Sequence, residues 1–207
     1  MTDIIKILDF LKLTERLKFE LRHSWSSNGR QESVAEHTFD MSLIAILVHE
    51  KVENKINILK VLKMIIYHDL VEIINGDIPA FEKSKRKETK EEDEQKAIVQ
   101  LQKMLPPKLG QELFELFNEF EELKTNEAKF AKSIDKIQLQ IQHNLADIKT
   151  WIPIEYKRVY TSRMKHCEHD KFLKKFCGKV IEQAEEKMQK AGIDTDKIKT
   201  ELNLDKN

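Results

Sequence analysis

Five glycines and four prolines in 207 residues leave little material for turns. Lys, Glu, Leu, Ile and Gln take their place, and all are helix formers. Two cysteines, Cys167 and Cys177, are too few for a disulfide framework. There is no excess charge of either sign, because 36 Lys and Arg balance 36 Asp and Glu. This argues against duplex DNA or an anionic membrane as a bulk electrostatic partner, and leaves room for a local basic pocket. No apolar run reaches bilayer-spanning length, and the opening Met-Thr-Asp-Ile-Ile-Lys lacks a secretory pattern. The expectation is a protein of a reducing compartment, the cytoplasm.

What remains reads as helices, with no strands. Ile4, Ile5, Leu8, Leu11 and Leu17 predict a helix over 4–21. Residues 25–31 read as a loop. Ser33 with Glu36 three positions on is a capping-box pattern opening a helix to about Lys51. Residues 58–74 are apolar nearly all round and predict the central buried helix of a bundle. Asn75-Gly76 should end it, with Gly76 in a left-handed cap, and Asp77-Ile78-Pro79 should continue as a loop. Between Glu82 and Glu94, eleven of thirteen residues are charged, which suggests a solvent-facing connector; a lid over a site is the other reading. Pro106-Pro107 breaks the chain before helices near 111–123 and 126–150, the second striped by Ile134, Ile137, Ile141, Leu145 and Ile148. An amphipathic helix spans 171–190. With no repeat and no linker, one domain over 1–192 is expected, followed by a polar tail at 193–207.

Within the central segment, His68, Asp69 and Glu72 interrupt an otherwise apolar run from Met64 to Ile74. Ionisable groups are costly to bury alone. On a helix the three fall within an arc of roughly 100°. A bound cation would satisfy a neutral imidazole and a carboxylate together. His37 and Asp135 are further candidates; a hydrogen-bonded core histidine and an ion pair with Lys136 are their plainer readings. His166-Cys167-Glu168-His169 with Cys177 fits no zinc-finger spacing. His143 reads as helix surface or as a residue behind the site.

Taken in order, Glu36-His37, Tyr67-His68-Asp69-Leu70-Val71-Glu72, Asn75-Gly76-Asp77-Ile78-Pro79 and Asp135 resemble the HD-domain phosphohydrolase superfamily, and within it the small 5′-deoxynucleotidase branch of YfbR-like enzymes. The resemblance covers roughly residues 5 to 165. It implies an all-α, single-domain HD-type helical bundle. It also implies that His37, His68, Asp69 and Asp135 hold one divalent cation, whether manganese, cobalt, magnesium, iron or zinc, since mixed nitrogen and oxygen donors do not choose among them. By the same resemblance Glu72 and Asp77 are catalytic. Arg22, fifteen residues before His37, and Arg30, seven before it, match arginines of the family; a planar fork suits phosphate oxygens. His23, Trp25, Asp77, Ile78, Pro79 and Ala80 fall where the family contacts substrate.

The implied activity is hydrolysis of (deoxy)ribonucleoside 5′-monophosphates by a likeness that also suggests a homodimer, with neither nucleic acid nor membrane as partner. Bacterial relatives carry tryptophan where this chain has His23, which leaves the sugar preference open. No histidine lies between Asp69 and Asp135, which favours one metal over two. The alternatives are an HD hydrolase for a nucleoside triphosphate, phosphodiester or other phosphate ester, and a non-catalytic module that binds metal or nucleotide.

Overall fold

The computed structural model describes residues 2–204. Helices dominate, and α1 (Asp3–Thr14) leads through a 3-10 turn, Glu15–Lys18, into a small hairpin. That hairpin corrects the sequence expectation. Where the expected helix ended at 21 and a loop began at 25, residues 21–25 are strand β1 (Leu21–Trp25), which pairs antiparallel with β2 (Gln31–Ser33). The polar composition of both strands hides them; one distant side chain and the flanking backbone hold them. Gln142 Nε2 donates to Trp25 O at 2.7 Å, and Val34 N donates to Glu20 O at 3.0 Å. Leu21 faces Ser33 and Trp25 faces Gln31, so three residues of β1 oppose one of β2. Such a bulge re-aims side chains.

α2 (Val34–Val48) begins as the sequence predicts. Ser33 accepts from Glu36 N, and the Glu36 carboxylate accepts from Ser33 N at 2.9 Å. α3 (Ile58–Tyr67) is capped by Asn57 and buries Val61, Met64 and Ile65 at helical spacing. Here the structure departs again from the single helix expected over 58–74. The chain turns through residues 68–71 before the single turn α4 (Glu72–Asn75). Apolar residues on every side of the sequence therefore reflect a turn buried between two cores rather than one long rod. Gly76 follows with φ 73° and ψ 162°, an extended conformation at positive φ rather than the left-handed cap. Only glycine tolerates it. It brings Asp77 N within 2.8 Å of Glu20 Oε1.

α5 (Lys85–Glu88) and α6 (Lys90–Met104) carry the charged segment. α7 (Pro107–Glu122) starts at the second proline, since its missing N–H costs nothing at a helix start. Gly110 lets α7 approach α6, because a Cβ there would lie 2.2 Å from Gln102 O. α8 (Asn126–Leu145) ends five residues before the expected limit; Asp147 caps a separate 3-10 turn, Ile148–Thr150. α9 (Pro153–Thr161) and α10 (Lys171–Lys190) follow. The segment after Gly192 forms α11 (Thr195–Glu201), with Thr195 and Ile198 buried, where a loose polar tail was expected. Residues 205–207 of that tail lie outside the described residues.

α8 packs on α2, α3, α7 and α10. One core joins Met41, Val61, Ile65, Phe120, Phe130, Ile134 and Ile137; a second joins Phe10, Val34, Leu70, Val71, Ile98, Leu113 and Phe117. Each such side chain contributes roughly 1.5–3 kcal/mol of burial. The turn at 68–71 lies between the cores, since Ile65 before it belongs to one and Leu70 and Val71 within it to the other. His68 and Asp69 are thereby locked in place from both sides.

Candidate metal centre and substrate cavity

α2, the 68–71 turn and α8 bring His37, His68, Asp69 and Asp135 together. His37 is fully buried, and its Nε2 lies 3.8 Å from Asp69 Oδ2 and 3.6 Å from Asp135 Oδ1. His68 Nε2 lies 3.1 Å from Asp69 Oδ1. Ligand atoms of His37, His68 and Asp135 all sit within 4.8 Å of one another, the one such group among the described residues. Metal–ligand bonds of about 2.0–2.2 Å place neighbouring donors roughly 3–3.5 Å apart, close to this spacing.

The tautomers provide the test of fit. Gln138 Nε2 donates to Glu32 Oε1 at 2.7 Å, which turns the amide oxygen toward His37. His37 Nδ1–H then donates to that oxygen at 2.6 Å. Nε2 is left with a lone pair, buried and without a hydrogen-bond partner, facing two carboxylates. His68 Nδ1 donates likewise to Ile65 O at 2.7 Å, so its Nε2 also faces the centre. Lone pairs opposed to carboxylates repel, and a cation between them removes the conflict. The donor set fits a divalent metal.

Charge follows position. Burial, with Arg22 nearby, takes His37 down to about 3, so it stays neutral. For His68 burial acts downward, but Asp69 outweighs it and the net shift is upward. Burial opposes ionisation of Asp69, yet His68 and Arg22 hold it well below the usual carboxylate range. Asp135 is also held low against burial by Lys136 and Lys132; Lys136 Nζ donates to its Oδ2 at 2.8 Å. The plain ion pair expected for Asp135 is therefore present on one oxygen, while the other faces His37.

A cavity of about 170 Å³ opens onto this centre, many times the space one water needs. Arg22, His23, His68, Asp69, Glu72, Asp77, Ile78, Pro79, Ala80 and Asp135 border it. Arg22 and His23 are sequence neighbours on a strand, and the β1 bulge is what lets both line one cavity. Arg22 Nη1 donates to Asp69 Oδ2 at 3.3 Å, and its Nε is 3.4 Å from Glu32 Oε2. These acids, with Asp77 and Glu72, hold the guanidinium charged against burial. Glu72 is buried, and burial, Asp69 and Asp77 push its carboxyl well above the usual range; its Oε2 has no partner. Burial raises Asp77 too, opposed by Arg22.

Two expected contacts lie elsewhere. Arg30 is exposed and forks onto Glu36 at 2.6 and 2.8 Å, so its charge is already engaged away from the cavity. Trp25 does not border the cavity but packs edge-on against His23, ring centres 4.7 Å apart. The charged segment is not wholly solvent-facing, because Lys87, Lys90 and Glu94 form one wall. The His166–His169 segment holds no metal group among the described residues; His169 Nε2 is 3.0 Å from Ser133 Oγ, and both cysteines are in the core.

Sequence reasoning missed Glu32, Gln138 and Glu155. Each is a polar residue that the structure buries. No local pattern marks Glu32 or Glu155. Gln138 lies three residues from Asp135, one helical turn along α8, and that spacing was the available signal.

Residues 14–190 match the HD domain family. A 5′-deoxynucleotidase HDDC2 of Dictyostelium discoideum is 33% identical over 142 residues, 65% of this chain and 74% of that protein. A 5′-deoxynucleotidase HDDC2 of Homo sapiens is 33% identical over 138 residues, 66% of each chain. A crystal structure of a predicted metal-dependent phosphohydrolase from Magnetospirillum magnetotacticum superposes with a TM-score of 0.80 at 26% identity, covering 92% of this chain and 95% of that one. The chain thus spans between two thirds and three quarters of the length of these curated relatives. Match, fold and the grouping of His37, His68 and Asp135 agree: the chain belongs to the HD domain family.

Proposed function

We propose that this chain is a metal-dependent phosphomonoester hydrolase that removes phosphate from nucleoside 5′-monophosphates. One observation carries the reading: Asp69 joins two opposite demands. One of its oxygens faces the unpartnered Nε2 of His37, which calls for a cation, and the same oxygen meets Arg22, which suits an anion. Hydrolysis of a phosphate ester uses both in one cavity. The curated relatives are named as 5′-deoxynucleotidases, which supports the nucleotide substrate.

His37, His68, Asp69 and Asp135 hold one divalent cation in this reading. When bound, the cation polarises a phosphate oxygen and offsets its charge. Arg22 orients the phosphate with its planar fork. Burial raises both Glu72 and Asp77, so in this reading one of the two carboxyls holds a proton while the other is ionised. The ionised partner accepts a proton from the attacking water, and the protonated one supplies the leaving 5′ oxygen. Ile78, Pro79 and Ala80 offer apolar surface to the nucleoside.

The test is phosphate release from metal-stripped protein, with metals and phosphate esters varied as a matrix. Nucleoside 5′-monophosphates should release phosphate only after a divalent metal is restored. Exclusive turnover of triphosphates or diesters would overturn the substrate assignment.

We also propose a cytoplasmic homodimer. Both cysteines are free, as a reducing compartment requires. No helix among the described residues is long and apolar enough to cross a membrane. Phe39, Leu43, Ile46 and Leu47 share one face of α2 and stay exposed, with Leu59 and Ile66 exposed on the adjoining α3. An apolar face of this kind marks an interaction site. Phe39→Asp should convert a dimer to monomer in sedimentation equilibrium; a wild type already monomeric at tens of micromolar would reject the pairing.

A further inference from the structure

Seven lysines and arginines border the cavity, and they divide by whether a carboxylate meets them. Arg22 has Asp69 at 3.3 Å, and Lys90 has Glu94 at 3.2 Å. Lys136 and Lys132 have Asp135 at 2.8 and 3.9 Å. Lys87, Arg158 and Arg163 have no carboxylate partner among the described residues. The proposed chemistry uses none of these three.

Arg163 is the sharpest case. It lies two residues past α9 and is only 1% exposed. Its Nε donates to Gln140 Oε1 at 3.2 Å and its Nη1 to Ser162 Oγ at 3.0 Å, both neutral acceptors, and Nη2 has no partner. A buried charge is ordinarily paired, because burying it alone is costly. Burial and then Arg158 push the guanidinium down to about 10, with Asp135 and Glu155 acting on it only from a distance, so it stays charged at neutral pH.

Arg158 has a carboxylate within its own helix. Glu155 precedes it by three positions on α9, a spacing at which opposite charges ordinarily meet. Glu155 turns elsewhere: Oε2 accepts from Ile152 N at 2.7 Å, and Oε1 lies 3.6 Å from His23 Nε2 and 3.7 Å from His143 Nε2. Lys87 arrives from α5, in the charged segment. Burial lowers its ammonium, and the neighbouring cations Lys90 and Arg158 lower it further. Two separate parts of the chain thus bring three cations to one cavity and supply no counter-ion. Like charges repel, and an anion in the cavity is the partner that the fold leaves out.

The scissile phosphate is not that anion. In the proposed function, on which this inference rests, it sits at the metal centre with Arg22. The charged groups acting most strongly on Lys87 and Arg158 include Lys90, Glu94 and Glu155, and none of the four metal-site residues. A phosphate joined directly to the scissile one would crowd the metal centre too. One carried on the sugar reaches away from it.

We propose that Lys87, Arg158 and Arg163 form a second phosphate subsite, filled by a phosphate on the sugar of the nucleotide whose 5′ phosphate is removed. The preferred substrate is then a nucleoside bisphosphate, and its extra phosphate is bound but not cleaved. Binding of that kind is felt alike before and in the transition state, so it lowers KM and leaves kcat.

The experiment measures kcat and KM on the metal-loaded protein for a nucleoside 5′-monophosphate and its 2′,5′- and 3′,5′-bisphosphates. At least one bisphosphate should show a KM about thirtyfold lower at similar kcat, the value of charge-assisted hydrogen bonds. Arg158→Gln, at a half-buried position whose side chain bonds to nothing, should shrink that KM ratio about tenfold. Lys87→Gln, on a different helix, should shrink it too, whereas a merely structural role would raise every KM alike. Inorganic phosphate, tested as an inhibitor of monophosphate hydrolysis, separates the other source. Inhibition relieved by both substitutions, with no bisphosphate preference, would overturn the filling by substrate and assign the subsite to free phosphate. No preference and no such inhibition, or a preference that survives both substitutions, would overturn the inference and leave the nucleotidase reading intact. If no nucleoside phosphate is hydrolysed but another phosphate ester is, the nucleotidase reading fails, and the inference fails with it.

Discussion

Glu72→Gln is expected to lower kcat by about 10³-fold with the metal still bound, within the 10²–10⁴ typical of a lost proton-transfer group. The substitution is nearly isosteric, and the side chain is only 6% exposed, so packing is preserved. What it removes is an ionisable oxygen. Oε2 has no hydrogen-bond partner, and the carboxyl is raised by burial and by Asp69 and Asp77. Strongly perturbed carboxyls lining a cavity cluster at functional sites. Turnover and metal content by emission spectroscopy, measured on the same sample, separate proton transfer from metal loss. A variant with kcat within tenfold of wild type and full metal would remove Glu72 from the reaction.

Asp69→Asn should have a comparable effect by a different route. The carboxylate faces His37, His68 and Arg22 at 3.8, 3.1 and 3.3 Å. An amide there cannot neutralise a cation, so the protein should be isolated with well under one metal per chain and with kcat reduced about 10³-fold or more. Arg22 also loses a partner. Both side chains are largely buried, 12% and 15% exposed, and Arg22 keeps Glu32 at 3.4 Å, so the lost charged hydrogen bond should cost about 2 kcal/mol of stability in the metal-free protein. Chemical denaturation of stripped wild type and variant reads that cost directly. Equal metal content and equal stability would show that Asp69 serves neither ion.

How much of this was legible beforehand depended on where the governing contacts lie. α2 announces itself because its cap is local, Ser33 to Glu36. His68, Asp69 and Glu72 stood out because charge in an apolar run has few explanations. The hairpin was invisible: its strands are short and largely polar, and one bond that holds it comes from Gln142, far along the chain. The break after Tyr67 was missed for a related reason. Helical periodicity reports burial, and a turn enclosed by two cores is as apolar as a helix. Arg30 matched by spacing, but its guanidinium had a nearer carboxylate in Glu36. α11 looked like a tail because only Thr195 and Ile198 of it are buried.

The amide of Gln138 has unlike ends, and this gives the centre a direction. Arg22 leans on Glu32, Glu32 fixes the amide, and the amide sets which nitrogen of His37 is bare. The arginine fork and the metal-facing imidazole are thus wired back to back through a single carboxylate. Readiness for an anion and readiness for a cation are not two separate achievements of the fold, and damage to the connector would blunt both at once.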